Sequence, residues 1–114
     1  MEESILISIK KLLGISREYI NFDNDIIMHI NTVFVTLNQL GVGPDEYFMI
    51  VDEKAKWSDF TKDDKKLNAI KTYIYLKVKI VFDPSLSSVV MEANKQMINE
   101  LEWRLNVEAE SNKK

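Results

Sequence analysis

The stretch LNAIKTYIYLKVKIVFDP, from Leu67 to Pro84, decides the fold because it satisfies two different periodicities. At period two, Ile74, Leu76, Val78, Ile80 and Phe82 alternate with Tyr75, Lys77, Lys79 and Val81, as in a half-buried strand rich in β-branched residues. At helical spacing, Leu67, Ile70, Ile74, Val78 and Val81 form one apolar stripe. The stripe spans the whole segment, whereas the alternation holds only from Ile74 onward, and a strand of that length would be unusual. The spacing therefore predicts a helix. Asp83-Pro84 ends it, because the proline ring disfavours helical geometry at the preceding residue and offers no N–H.

The segments on either side repeat the helical pattern. Ile5, Leu6, Ile9, Leu12 and Leu13 share a face of a first helix, with Gly14 placed to end it and Glu2 and Glu3 at the positive end of its dipole. Asp23 or Asp25 can cap a second helix, along which Ile26, Ile30, Val33, Phe34, Leu37 and Leu40 line one side up to Gly41. Asp64 is a candidate cap for the third helix. After Pro84, Ser85, Ser87 or Ser88 can cap a last helix. On it Val90, Asn94, Met97, Leu101 and Leu105 share a face, and Glu100 faces Arg104 at the i,i+4 spacing. Between the second and third helices, Gly41-Val42-Gly43-Pro44 breaks regular structure, and 41–61 reads as an irregular loop that admits one short β-hairpin around 47–58. The expected fold is all-α, a small four-helix bundle-like domain over residues 1–107. A disordered tail is expected over 108–114, EAESNKK.

Composition excludes several function classes. A length of 114 residues with 46% hydrophobic content allows one core. A net charge of −3, with Lys and Arg scattered among acids, argues against a nucleic-acid footprint. No apolar run approaches the roughly 20 residues of a membrane span, and the N-terminal residues carry acids and no small-residue cleavage site, so a soluble, unsecreted chain is expected. Cysteine is absent, which removes disulfides and thiolate metal sites.

Catalytic, cofactor and metal sites find no support. His29 is the only histidine and only Asp25 stands one turn from it, too few ligands for a metal. Asp52-Glu53 and Asp63-Asp64 are adjacent acids that stay solvated, not opposed carboxylates across a cleft. The glycine turn lacks the Lys-Ser or Lys-Thr of a phosphate-binding loop. The aromatic residues Tyr47, Phe48 and Trp57 carry more meaning. In a polar, glycine-punctuated loop they are candidate protein–protein contacts, Tyr and Trp being typical of binding hot spots. The competing reading folds the loop back so that the same rings cover one end of the core. Trp103 is expected in the core or on a self-association surface, and Lys77 and Lys79 reach solvent along their aliphatic stems.

With four helices, an irregular middle loop, LNAIKTYIYLKVKIVFDP and the late LEWRL, the chain resembles the head-tail connector (adaptor, head-completion) proteins of tailed bacteriophages and prophages. The resemblance rests on Leu67, Ala69, Ile70, Tyr73 and Leu76 leading into Asp83-Pro84-Ser85, then on Leu101-Glu102-Trp103-Arg104-Leu105, and it covers most of Ile5 to Val107. It implies a non-enzymatic virion protein that forms a homo-oligomeric ring between the portal protein and a tail-side joining protein, extending the DNA channel at the head–tail junction after synthesis in the host cytoplasm. An acidic ring would touch channel DNA only passively, since weak repulsion of phosphate keeps a duplex moving. The alternative is a small helical DNA-binding or regulatory protein, which needs a basic recognition helix. Lys65 to Lys79 is the candidate, yet its apolar content suits a central buried helix better.

Overall fold

The structure of the chain, a computed structural model, describes residues 3–84 and 86–112. The helical reading of the decisive stretch holds, and the described residues form α1 (Ile5–Leu12), α2 (Asp23–Gln39), the single-turn α3 (Trp57–Phe60), α4 (Asp64–Phe82) and α5 (Ser88–Asn112). The fold is all-α. Among the described residues the only β pairing is one antiparallel bridge, Ser4 with Lys56, and no hairpin forms at 47–58.

α4 is the central rod. Its residues Leu67, Ile70, Tyr73, Ile74, Leu76 and Val78 are buried, and it packs against α2 on one side, α5 on another and α1 as well. Both large neighbours run antiparallel to it. At one end Phe22 stacks edge-on against Phe82 at 5.3 Å, and at the other Asn106 Nδ2 donates to the Leu40 carbonyl at 3.3 Å. The result is a slab of 43 × 35 × 20 Å. α4, the lysine-rich helix, turns its apolar stripe into the core.

Capping explains the boundaries and corrects several expectations. α1 begins at Ile5 because Ser4 Oγ accepts from Ile7 N–H at 3.2 Å. Glu3 instead pairs with Lys71 at 3.0 Å, while Glu2 lies outside the described residues. Asp63, not Asp64, caps α4, accepting from Lys65 N–H at 2.9 Å. α2 is capped by no side chain; Asp23 and Asp25 sit in its first turn, where the dipole favours them. Ser87 caps α5 through Val90 N–H at 3.3 Å, and Ser85 lies outside the described residues. Gly41 closes α2 with φ +84°. Its N–H reaches the Asn38 carbonyl and Val42 N–H the Leu37 carbonyl, a paired arrangement that requires a left-handed residue, and Gly14 ends α1 in the same way.

Two further expectations change. The chain does not end its regular structure at Val107: α5 continues to Asn112 and buries Ala109, one turn beyond the buried Leu105. The alanine supplies the apolar contact that the acidic ending conceals, and Lys113 and Lys114 lie outside the described residues. The packed face of α5 is also rotated from the expected one. Leu105 and Ile98 are buried and Leu101 and Asn94 are partly covered, but Val90 and Met97 are exposed.

Lys10 is the least expected member of the core, with 0% of its surface exposed. Its ammonium donates to the carbonyls of Arg17 at 3.1 Å and Tyr19 at 2.9 Å, and lies 2.8 Å from Asp23 Oδ1. That oxygen is sealed from solvent and no N–H is aligned on it, so its compensation is the neighbouring charge. The lysine thereby ties the irregular 13–22 segment to both flanking helices.

Candidate interaction surface

Beyond the Ser4–Lys56 bridge the 41–61 segment has no strand partner among the described residues, so the rest of its backbone must be satisfied in another way. Two asparagines on one side of α2 do this. Asn31 Oδ1 accepts from Ile50 N–H at 2.8 Å while its Nδ2 donates to the Ile50 carbonyl at 2.9 Å, a side-chain imitation of a β pair. Two turns later, Asn38 Nδ2 donates to the carbonyls of Pro44 at 3.3 Å and Asp45 at 3.2 Å. The other end of the segment is held by Ile5 N–H to the Ala55 carbonyl and Trp57 N–H to the Glu3 carbonyl.

This pinning separates the three aromatic candidates. Trp57 is 0% exposed, with Nε1–H donating to Ser8 Oγ at 3.1 Å and the Lys71 ammonium 5.5 Å from its ring centre. It is a core residue, which corrects the contact role considered for it; the loop buries it because the Ser8 hydroxyl satisfies its polar edge. Phe48 is half-buried and belongs to a ring cluster with Phe34 and Phe60 at 5.0 and 5.3 Å, so most of its contact is internal. Tyr47 alone stays out, 60% exposed.

Besides Tyr47, the segment presents aliphatic side chains outward. Met49 and Val51 point away from the buried Ile50 and, with Met28 and Val35 on α2, line an open groove of about 520 Å³ whose floor includes Asn31. Sequence reading missed these aliphatic side chains because it weighed only rings. The available signal was the α2 face opposite its core stripe, where Met28 and Val35 recur at helical spacing.

α5 likewise has an apolar face directed outward. Val89, Trp103 and Val107 are exposed on the side opposite Ile98 and Leu105, with Met97 exposed on the flank between them, which places Trp103 on a surface. Between the helices, Tyr73 O–H donates to Glu102 Oε2 at 2.7 Å, and the Lys77 ammonium lies 3.8 Å from the same carboxylate. Burial, and then the bond to Glu102, push the Tyr73 hydroxyl well above its usual range, so it stays neutral. At the edge of the slab, the hydrogen bond from Lys71 holds the Glu3 carboxyl below the usual carboxylate range.

Among the described residues no group of acids and histidine is arranged to hold a metal ion, and no helix is long and apolar enough to cross a membrane. His29, half-buried on α2, stands apart from any such group.

The molecule is a helical slab whose flanking helices each keep apolar side chains in solvent. The phage connector protein family matches residues 5–112, and the chain belongs to that family, structural proteins of the phage head–tail connection. No curated protein and no solved structure matches it.

Proposed function

We propose that the chain is a non-enzymatic ring subunit seated between the portal and the tail, where it extends the DNA channel and offers a docking surface to a tail-side joining protein. The observation that carries this reading is the match of the phage connector protein family over residues 5–112. The slab supports it physically. α2 and α5 flank α4 and scarcely touch each other, so their outer faces are separate surfaces. A subunit with two unlike sides makes heterologous contacts, which close into a ring when the rotation between neighbours permits. Tyr47, exposed beside the groove, is the member of the aromatic trio that contacts a neighbour. Before assembly the protein resides in the host cytoplasm.

Sedimentation velocity across a concentration series, alone and with the cognate portal protein, tests the reading. A discrete closed oligomer, formed alone or on the portal, is expected. A chain that stays monomeric at every concentration and never joins the portal overturns it.

A further inference from the structure

A second open groove, of about 270 Å³, runs between the later turns of α4 and the middle of α5. Ile80, Val81 and Ile98 give it an apolar lining, and Lys77, Lys95 and Asn99 a polar edge. Lys95 has no partner among the described residues. Lys77 has only Glu102, 3.8 Å away, and that carboxylate already accepts from Tyr73 O–H at 2.7 Å. The groove is small for a helix but roomy for one ring, and its two ammonium groups suit a ring that arrives with carboxylates beside it.

The chain carries such a ring. Tyr47 follows Asp45 and Glu46, both exposed, and neither carboxylate has a partner among the described residues. The other exposed rings differ: Glu18 beside Tyr19 accepts from Ser16, Asp23 beside Phe22 is tied to Lys10, and Glu102 and Arg104 on either side of Trp103 are both paired. Tyr47 is also held ready, because Asn38 fixes the Pro44 and Asp45 carbonyls before it and Asn31 fixes Ile50 after it. The 44–50 segment packs on α2 while the groove opens between α4 and α5, so a copy is not placed to fill its own groove. Copies of net charge −3 repel at a distance, and the local match of two carboxylates to two lysines selects the faces that meet. Resting on the ring reading above, we infer that Tyr47 of one copy enters the α4/α5 groove of the next, its ring on Ile80, Val81 and Ile98 and its flanking Asp45 and Glu46 against Lys77 and Lys95. Each copy then gives a segment on one side and a groove on the other, which is a head-to-tail contact.

The absence of cysteine makes the contact testable by cross-linking. Glu46→Cys and Asn99→Cys, both at exposed positions, are purified separately, brought to the conditions in which the oligomer forms, alone or on the portal, and treated with a short bismaleimide. Covalent dimers from the mixture and from neither variant alone are expected, and a chain with both substitutions should give a ladder beyond the dimer. Lys95→Glu should weaken association about tenfold, Glu46→Lys likewise, and the two together should restore most of it. Five results overturn the inference: an oligomer without cross-links between positions 46 and 99, equal cross-linking of Glu46→Cys by itself, a doubly substituted chain that stops at the dimer, attachment of Asn99→Cys to the portal instead, or charge reversals that do not compensate. The ring reading survives each of these, because the oligomer is then present, whereas a chain that stays monomeric throughout removes both.

Discussion

The 41–61 segment and the first half of α5 reverse the usual association of regular structure with tight packing. The segment is mostly irregular, yet it contributes Val42, Ile50, Trp57 and Phe60 to the core. The start of α5 is unbroken helix, yet Val89, Val90 and Met97 are all exposed. Backbone hydrogen bonding and side-chain burial are separate requirements. A helix meets the first by itself, whereas a loop must borrow partners, here Asn31, Asn38 and the edge of α1, and those partners draw it against the core.

The contrast is breakable, beginning with the loop. Trp57→Ala should lower stability by about 3–5 kcal/mol in denaturant unfolding, the range for losing a large buried ring; a loss below about 1 kcal/mol would mean the segment is not core. Gly43→Ala should lose about 2–3 kcal/mol, because φ is +92° and the added methyl carbon would stand 2.5 Å from the Phe60 ring. Asn31→Ala orphans both polar groups of Ile50 and should lose about 2 kcal/mol. Hydrogen exchange sharpens that variant: the Ile50 amide should be strongly protected in the parent and exchange rapidly in the substituted chain.

The α4–α5 contact gives a smaller, pH-dependent effect. Tyr73 is held neutral in the folded state while an unfolded tyrosine ionises near pH 10. Stability contributed by its raised pKa is fully present below that value and declines as pH rises above it. Tyr73→Phe should flatten the alkaline limb of the stability curve, while losing about 1 kcal/mol at neutral pH with the Glu102 bond. The smallest effect belongs to the exposed start of α5. Val89→Ser should change stability by less than about 0.5 kcal/mol, and a larger loss would show that this turn packs after all.

How far the fold was legible follows the same division. Ile26, Ile30, Val33, Phe34 and Leu37 are buried as their spacing indicates, because α2 has one dominant apolar stripe. α5 carries two, one with Ile98 and Leu105 and one with Val89, Trp103 and Val107, and periodicity alone has no means of choosing between them. Lys10 sits in IKKLLG beside Lys11, indistinguishable from a surface lysine until the carbonyls of Arg17 and Tyr19 converge on it. The α2 groove was legible in part: Met28 and Val35 recur on one face, but the Asn31 to Ile50 bond that brings Met49 and Val51 beside them depends on a contact nineteen residues long.

By itself, the sequence determined that the chain is helical, where the rods before α5 stop, and that its resemblance runs to connectors, because periodicity, caps, glycines and the Asp83-Pro84 break act through neighbours a few residues apart. Tertiary structure decided which of two stripes α5 buries, that Lys10 and Trp57 belong to the interior, and that Met49 and Val51 meet α2. Those outcomes depend on which surfaces arrive at one place, and burial free energy is a property of that encounter rather than of any local spacing.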